Sequence, residues 1–211
     1  KDGGWTPYLA ESFERSDDLK AWTMKLREGI LFHDGTPLNA DAVIVNFETS
    51  RNDPLVGLTV KPFFPEEGAI EKLDDMTVVF HLLDANAHFP ATLTGQLGMV
   101  ASPTWLEAAL ADPTLNQEPV GTGPFKFDSR SEDSVTRFVR NDEWWNGDVY
   151  LDAIEFLPVT DSDTRTDLLF NGEIDGLQTT NQASILDLRD ADGVRNILND
   201  SGEETYVMIN S

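Results

Sequence analysis

One stretch, Leu26 to Val43, constrains the fold more than any other part of this 211-residue chain. It reads Leu26-Arg27-Glu28-Gly29-Ile30-Leu31-Phe32-His33-Asp34-Gly35-Thr36-Pro37-Leu38-Asn39-Ala40-Asp41-Ala42-Val43. Just upstream, Trp22, Met24 and Leu26 alternate with Thr23, Lys25 and Arg27. A period of two marks a strand with one buried face. Gly29 interrupts it, and Asp34-Gly35 signals a turn because glycine accepts positive φ without steric cost. Asn39 is a good helix N-cap, and Asp41 falls in the first turn, where the helix dipole favours an acid. Val43, Ile44 and Phe47 then form an apolar stripe. The expected order is strand, turn, short strand, turn, capped helix.

This run resembles a signature of the extracellular solute-binding proteins of peptide- and nickel-type ABC importers. The matching positions are Leu26, Arg27, Gly29, Phe32, Asp34, Gly35, Thr36, Pro37, Ala40 and Val43. Two positions depart from it: Asn39 replaces the usual Thr cap, and the first-turn acid, Asp41, stands one place early, with Ala42 after it. Both changes keep a cap and an acid. Further segments are similar to the family in the same order. They are Pro7-Tyr8-Leu9-Ala10-Glu11-Ser12-Phe13, the run around Asp74-Asp75, Gly121-Thr122-Gly123-Pro124-Phe125, Arg140-Asn141-Asp142-Glu143-Trp144-Trp145 and Gly172-Glu173-Ile174-Asp175, the last of which resembles the family's entry into a strand.

Composition narrows the alternatives. The 38 acids against 15 bases leave a formal charge of −23. Nucleic acid and anionic membranes are therefore poor partners, since binding them needs clustered Lys and Arg. There is no cysteine, which removes disulfides, thiolate catalysis and Cys zinc sites without fixing the compartment. No stretch approaches a membrane span in length. No basic and apolar leader precedes Lys1, so any export signal is expected to have been removed or never to have been part of this sequence.

Along the chain, Lys1 to Gly4 reads as a flexible beginning, and Arg51 to Pro65 as a loop. Phe63 and Phe64 either anchor that loop or line a cleft. Ala69 to Leu73 and Met76 to Leu82 suggest a hairpin around Asp74-Asp75. Ala87 to Gly98 is expected to form a short helix capped near Asn86. Ser102-Pro103 opens another, whose apolar set is Trp105, Leu106, Ala109 and Leu110 and which ends at Asp112-Pro113. Gly121-Thr122-Gly123 invites a dinucleotide reading, but Pro124 and the Phe125/Phe127 alternation point to a strand. Gly123 is expected to need a backbone conformation that alanine resists. Strands are expected at Ser134 to Arg140 and Tyr150 to Val159. Asp161 to Asp167 superficially resembles a calcium loop, but Gly172 stands where the twelfth-position Glu belongs. A helix capped by Asp161, running to about Phe170 and ended by Asn171-Gly172, is the better reading. Ser184 to Arg189 is a further helix and Thr205 to Ile209 a strand.

No enzyme constellation is present. His33, His81 and His88 lack both metal-pair spacing and a nucleophile-base context. The Asp17/Asp18 and Asp74/Asp75 pairs fall at expected turns, where Asp is favoured for local backbone bonds. We therefore expect a binding protein with no catalytic residues, cofactor or metal.

The resemblance implies an α/β fold, with mixed sheets and flanking helices, forming part of a type II periplasmic-binding-protein lobe. Lys1 to Ala101 would be the small auxiliary subdomain of the first lobe. Ser102 to Ser211 would be part of the hinge-bearing lobe, ending at the hinge strand. It also implies the substrate-binding component of an ABC importer. Such a component takes an oligopeptide, a dipeptide or a related small solute outside the cytoplasmic membrane and delivers it to the permease by closure of two lobes. The partners would be that ligand and the permease subunits, with no nucleic acid. The protein would be a monomer, periplasmic or lipid-anchored on the cell exterior. Candidate ligand contacts are Thr122, Gly123, Gln178, Thr179, Phe63 and Phe64. Oligopeptide, dipeptide, nickel-chelate, glutathione, opine and sugar binders share these motifs, so they do not fix the ligand. The alternative is a solute-binding-like sensor or interaction domain of a regulator.

Overall fold

A computed structural model describes residues 4–189 and 191–197. The expected strand at Thr205 to Ile209 and the hinge-strand ending lie outside the described residues. The chain divides into two compact units, Lys1–Phe156 and Leu157–Ser211.

In the first unit the elements run β1 (Ala10–Arg15), β2 (Ala21–Leu26), α1 (Ala40–Asn52), α2 (Val56–Val60), β3 (Ile70–Asp74) and β4 (Thr77–His81). Then come α3 (Phe89–Thr92), α4 (Pro103–Ala111), β5 (Phe125–Ser131), β6 (Val135–Arg140) and β7 (Ala153–Phe156). One sheet has the order β1-β2-β4-β3 and the other β5-β6-β7. Every pairing in them is antiparallel. The architecture is the α/β arrangement of sheets with flanking helices that the sequence implied.

The alternation in β2 does what its period requires: Trp22, Met24 and Leu26 are buried while Lys25 is exposed. They join Phe47, Phe64, Phe80 and Phe89 in a single apolar core, against which Phe13 packs. Phe80 lies 5.5 Å from Phe47 and 5.2 Å from Phe89, ring centre to ring centre. Such tilted and edge-on contacts add to area burial. All fully buried members of this core lie between Ala10 and Phe89.

The signature run folds as read. Ile30 to Leu38 is a tight hairpin, closed by Leu38 N–H to the Ile30 carbonyl at 2.9 Å and reduced to a single bridge, Leu31 to Pro37. Gly29 and Gly35 take φ of 78° and 83°, values that cost a side-chain-bearing residue. Asn39 caps α1, its side chain accepting from Ala42 N–H at 2.9 Å. The start of α1 is tied to the β3–β4 turn: Ala40 N–H donates to the Asp75 carbonyl, and Lys72 pairs with Asp41 at 2.8 Å.

Five local expectations fail. Arg51 to Pro65, read as a loop, holds the end of α1, the helix α2 and a 3-10 turn at Lys61–Phe63, because Asp53 accepts from the Leu55 and Val56 N–H groups and opens a new helix there. Ala87 to Gly98 forms only the single turn α3 and a 3-10 turn at Gln96–Gly98. Pro90 can open a helix but not continue one, and Gly95 and Gly98 disfavour helix in the residues beyond it. Leu110, assigned to the apolar face of α4, is 66% exposed, while Ala109 on the same helix is buried. The strand expected over Tyr150 to Val159 shrinks to β7, and Tyr150 is almost wholly exposed. No strand forms at Gly172 to Asp175.

In the second unit, α5 (Ser162–Phe170) is capped by Asp161, which accepts from Thr164 N–H at 2.8 Å, and α6 (Gln182–Arg189) is the next helix. Among the described residues no helix is long and apolar enough to cross a membrane.

Candidate functional site

The two motifs that the sequence singles out, Leu26–Val43 and Gly121–Phe125, meet along one seam within the first unit. His33 carries one side of it. Its backbone N–H donates to the Gly121 carbonyl at 2.8 Å, and its ring Nδ1 accepts from Gly121 N–H at 3.4 Å. Its Nε2 lies 3.0 Å from the Gly123 carbonyl. A carbonyl only accepts, so Nε2 carries the proton and Nδ1 is bare. Burial pulls the pKa of His33 below its ordinary value, with nearby Lys126 acting in the same direction. The Gly123 contact and Asp34 oppose this.

Asp34 carries the other side. Its Oδ1 accepts from Thr36 N–H at 3.0 Å and from the Thr36 hydroxyl at 2.6 Å, and its Oδ2 accepts from the Ser102 hydroxyl. Ser102 is completely buried and caps α4, accepting from Trp105 N–H. Burial works against the charge on Asp34, but the Ser102 and Thr36 bonds outweigh it and hold its pKa below the usual aspartate value. The Asp-Gly-Thr turn is thus a clasp onto the start of α4.

Three side chains complete the seam, and sequence reading gave none of them this role. Asn46, buried on α1, binds Ala101 twice, donating to its carbonyl at 2.8 Å and accepting its N–H at 2.9 Å. Asn141 donates to the Gly123 carbonyl at 3.1 Å, and its N–H donates to the Pro124 carbonyl at 2.8 Å. Trp145 Nε1 donates to the Thr122 carbonyl at 3.2 Å. Trp145 also packs edge-on to Tyr8 at 5.1 Å, with the Arg27 guanidinium 6.0 Å from its ring centre. Only the local Asn-x-x-x-Trp spacing hints at this, because the partners are far away in sequence.

Of the candidate contacts, Thr122 is buried and Gly123 half-buried in this seam, with both carbonyls engaged internally. A ligand reaching this turn must use its other groups. The expectation for Gly123 is corrected: its φ lies outside the left-handed region, and a Cβ there meets open space. Phe64 is a core anchor, 4.8 Å from Phe47, whereas Phe63 is about half exposed. The two phenylalanines line one cavity of about 230 Å³ with Val60, Phe89 and Leu97. A second cavity of about 210 Å³ lies among Trp5, Tyr8, Met24, Leu38, Phe80 and Leu97. Gln178 and Thr179 belong to the other unit. Gln178 is exposed, and the Thr179 hydroxyl accepts from Asn181 N–H at 3.1 Å. Among the described residues no group of three or more His, Cys, Asp or Glu is placed to hold a metal ion.

Residues 4–211 match the family model for bacterial extracellular solute-binding proteins, family 5, middle region. The chain belongs to that family. It is 34% identical, over 79% of its length, to di/tripeptide-binding protein 1 of Pseudomonas aeruginosa, covering 35% of that protein. It is 35% identical, over 78% of its length, to the glutathione-binding protein GsiB of Shigella flexneri, covering 32% of it. Among solved structures, AgaA of A. tumefaciens R10, in complex with agropinic acid, superposes with a TM-score of 0.80 at 27% identity. That match covers 90% of this chain and 38% of AgaA. This family 5 chain therefore spans about a third of the length of the curated relatives it matches.

Proposed function

We propose that this chain is part of the substrate-binding component of an ABC importer. It takes up a peptide or a related small solute outside the cytoplasmic membrane, in the periplasm or anchored on the cell exterior. The carrying observation is the family match over residues 4–211, together with identities of 34–35% to proteins named for di/tripeptide and glutathione binding. Lys1 to Ala101 serves as the auxiliary subdomain. In support, the fully buried apolar core up to Phe89 and the four-stranded sheet both fall inside it. Ser102 to Ser211 contributes to the hinge-bearing lobe, and the seam fastens the first piece to the start of the second. Closure of two lobes over the ligand then presents it to the permease. Thr122, Gly123, Gln178, Thr179, Phe63 and Phe64 are its proposed ligand contacts, and it acts as a monomer without catalysis or nucleic-acid binding.

The test is titration calorimetry on the full-length gene product and on this chain, side by side, with di- and tripeptides, glutathione and an opine. Binding by the full-length protein and little or none by this chain is expected. Half a set of contacts must still offset the entropy of association, which costs several kcal/mol. Equal affinity in both would place the site wholly within this chain and overturn the two-lobe reading. A full-length product that binds none of them and carries a DNA-binding domain would favour the sensor alternative.

A further inference from the structure

We infer that His33 is the positioning residue of the Gly121–Gly123 turn, and that only its neutral, Nε2-protonated form holds that turn in place. This goes beyond ligand capture and does not depend on it. The ring spans the turn from end to end, meeting Gly121 N–H with Nδ1 and the Gly123 carbonyl with Nε2. One tautomer satisfies both. The other would set Nδ1–H against Gly121 N–H and two bare acceptors against each other at Gly123. Imidazolium, which donates at both nitrogens, keeps the Gly123 bond and loses the one to Gly121.

The backbone leaves little room for adjustment. The bond from His33 N–H to the Gly121 carbonyl ties the two backbones together, and Asn141 and Trp145 also hold the Gly123 and Thr122 carbonyls. A charged ring would therefore push Gly121 away rather than swing aside. The charged groups that act on the ring are Asp34 from its own hairpin and Lys126 from β5, of opposite sign and opposing effect. Burial adds to Lys126 and favours the neutral ring. Below the pKa of His33, the turn that carries Thr122 and Gly123 loses one of its two ring contacts while the rest of the seam stays closed.

The test is nitrogen and amide NMR on the full chain, titrated from pH 8 to pH 4. Expected are a bare Nδ1 and a protonated Nε2 at pH 8, and a His33 midpoint below the ordinary histidine value of 6.5. The Gly121 amide should shift with that same midpoint, and more than any amide near His81 or His88. In His33→Gln, which keeps a donor for the Gly123 carbonyl but cannot titrate in this range, the Gly121 shift should vanish. An Nδ1-protonated ring, a midpoint at or above 6.5, or a Gly121 amide that ignores the His33 titration would each overturn the inference. The tautomer and midpoint are read on the unsubstituted protein, so the result stands even if the variant folds poorly.

Discussion

The two sheets of the first unit reach stability by different routes. In the four-stranded sheet, Trp22, Met24, Leu26, Val78 and Phe80 are buried against α1 and the phenylalanines around Phe89. In β5–β7 no residue is fully buried, and every residue of β6 is half-buried. That sheet relies on a ladder of Phe127, Phe138 and Phe156 at 5.9 Å spacings and on exposed ion pairs. Arg137 reaches Asp128 and Glu155, and Arg140 reaches Asp142 and Asp152. Burial of apolar area is the larger force, so the first sheet is the anchor and the seam lends its rigidity to the second.

The comparison breaks most sharply at two phenylalanines. Phe80→Ala should cost about 3–5 kcal/mol, as expected for a large ring leaving a fully packed site. Phe138→Ala should cost less, about 1–3 kcal/mol, because its ring already meets solvent and loses mainly two aromatic contacts of about 0.5–1.5 kcal/mol each. Urea denaturation of both variants measures the gap. Equal losses would mean that the second sheet is as well packed as the first.

The seam comes next. Ser102→Ala removes a helix cap and a donor to Asp34 together, and should cost about 1–3 kcal/mol. Its signature lies in the acid limb. The folded pKa of Asp34 is depressed, so the stability it contributes is present above the ordinary aspartate value of 3.8 and is lost as pH falls through the lowered folded value. Without Ser102 the folded pKa should rise, and the variant should lose stability at a higher pH than the parent. Carboxyl-carbon NMR of Asp34 alongside acid unfolding checks this.

Smaller still is Arg137→Ala. Its partners are exposed, and such pairs contribute about 0–1 kcal/mol and weaken with salt. A loss above about 2 kcal/mol in denaturation would show the ion pairs to be the second sheet's main support. The smallest effect is expected at Gly123→Ala, whose φ lies outside the left-handed region and whose added methyl meets open space. Thermal unfolding should move little, whereas Gly35→Ala, at φ 83°, should lower the melting temperature.

These particulars also show what a sequence carries on its face. The hairpin at Ile30 to Leu38, the Asn39 and Asp161 caps and the alternation in β2 are legible because each signal lies within a few residues of its effect. The segment Ala87 to Gly98 misleads because an apolar run with a nearby cap competes there with Pro90 and two glycines, and the breakers win. The seam is illegible for another reason. Asn46 meets Ala101 across 55 residues, and Gly121 meets His33 across 88. No local period or spacing encodes such a pairing. Family resemblance located the motifs, but only the fold showed that they grip one another.

Leu97 borders both cavities, of about 210 and 230 Å³, and neither is lined by any residue of β5, β6 or β7. Both open to the surface, beside exposed Trp5 and Tyr8 at one and exposed Phe63 at the other, and both are walled mainly by apolar side chains. Apolar recesses of this kind take up small apolar molecules. The strongly buried sheet, not the sparsely buried one, is therefore where a solute such as benzene or xenon should lodge, beside Phe80 and Phe89, leaving the hydrogen bonds at Ser102 and Gly123 untouched.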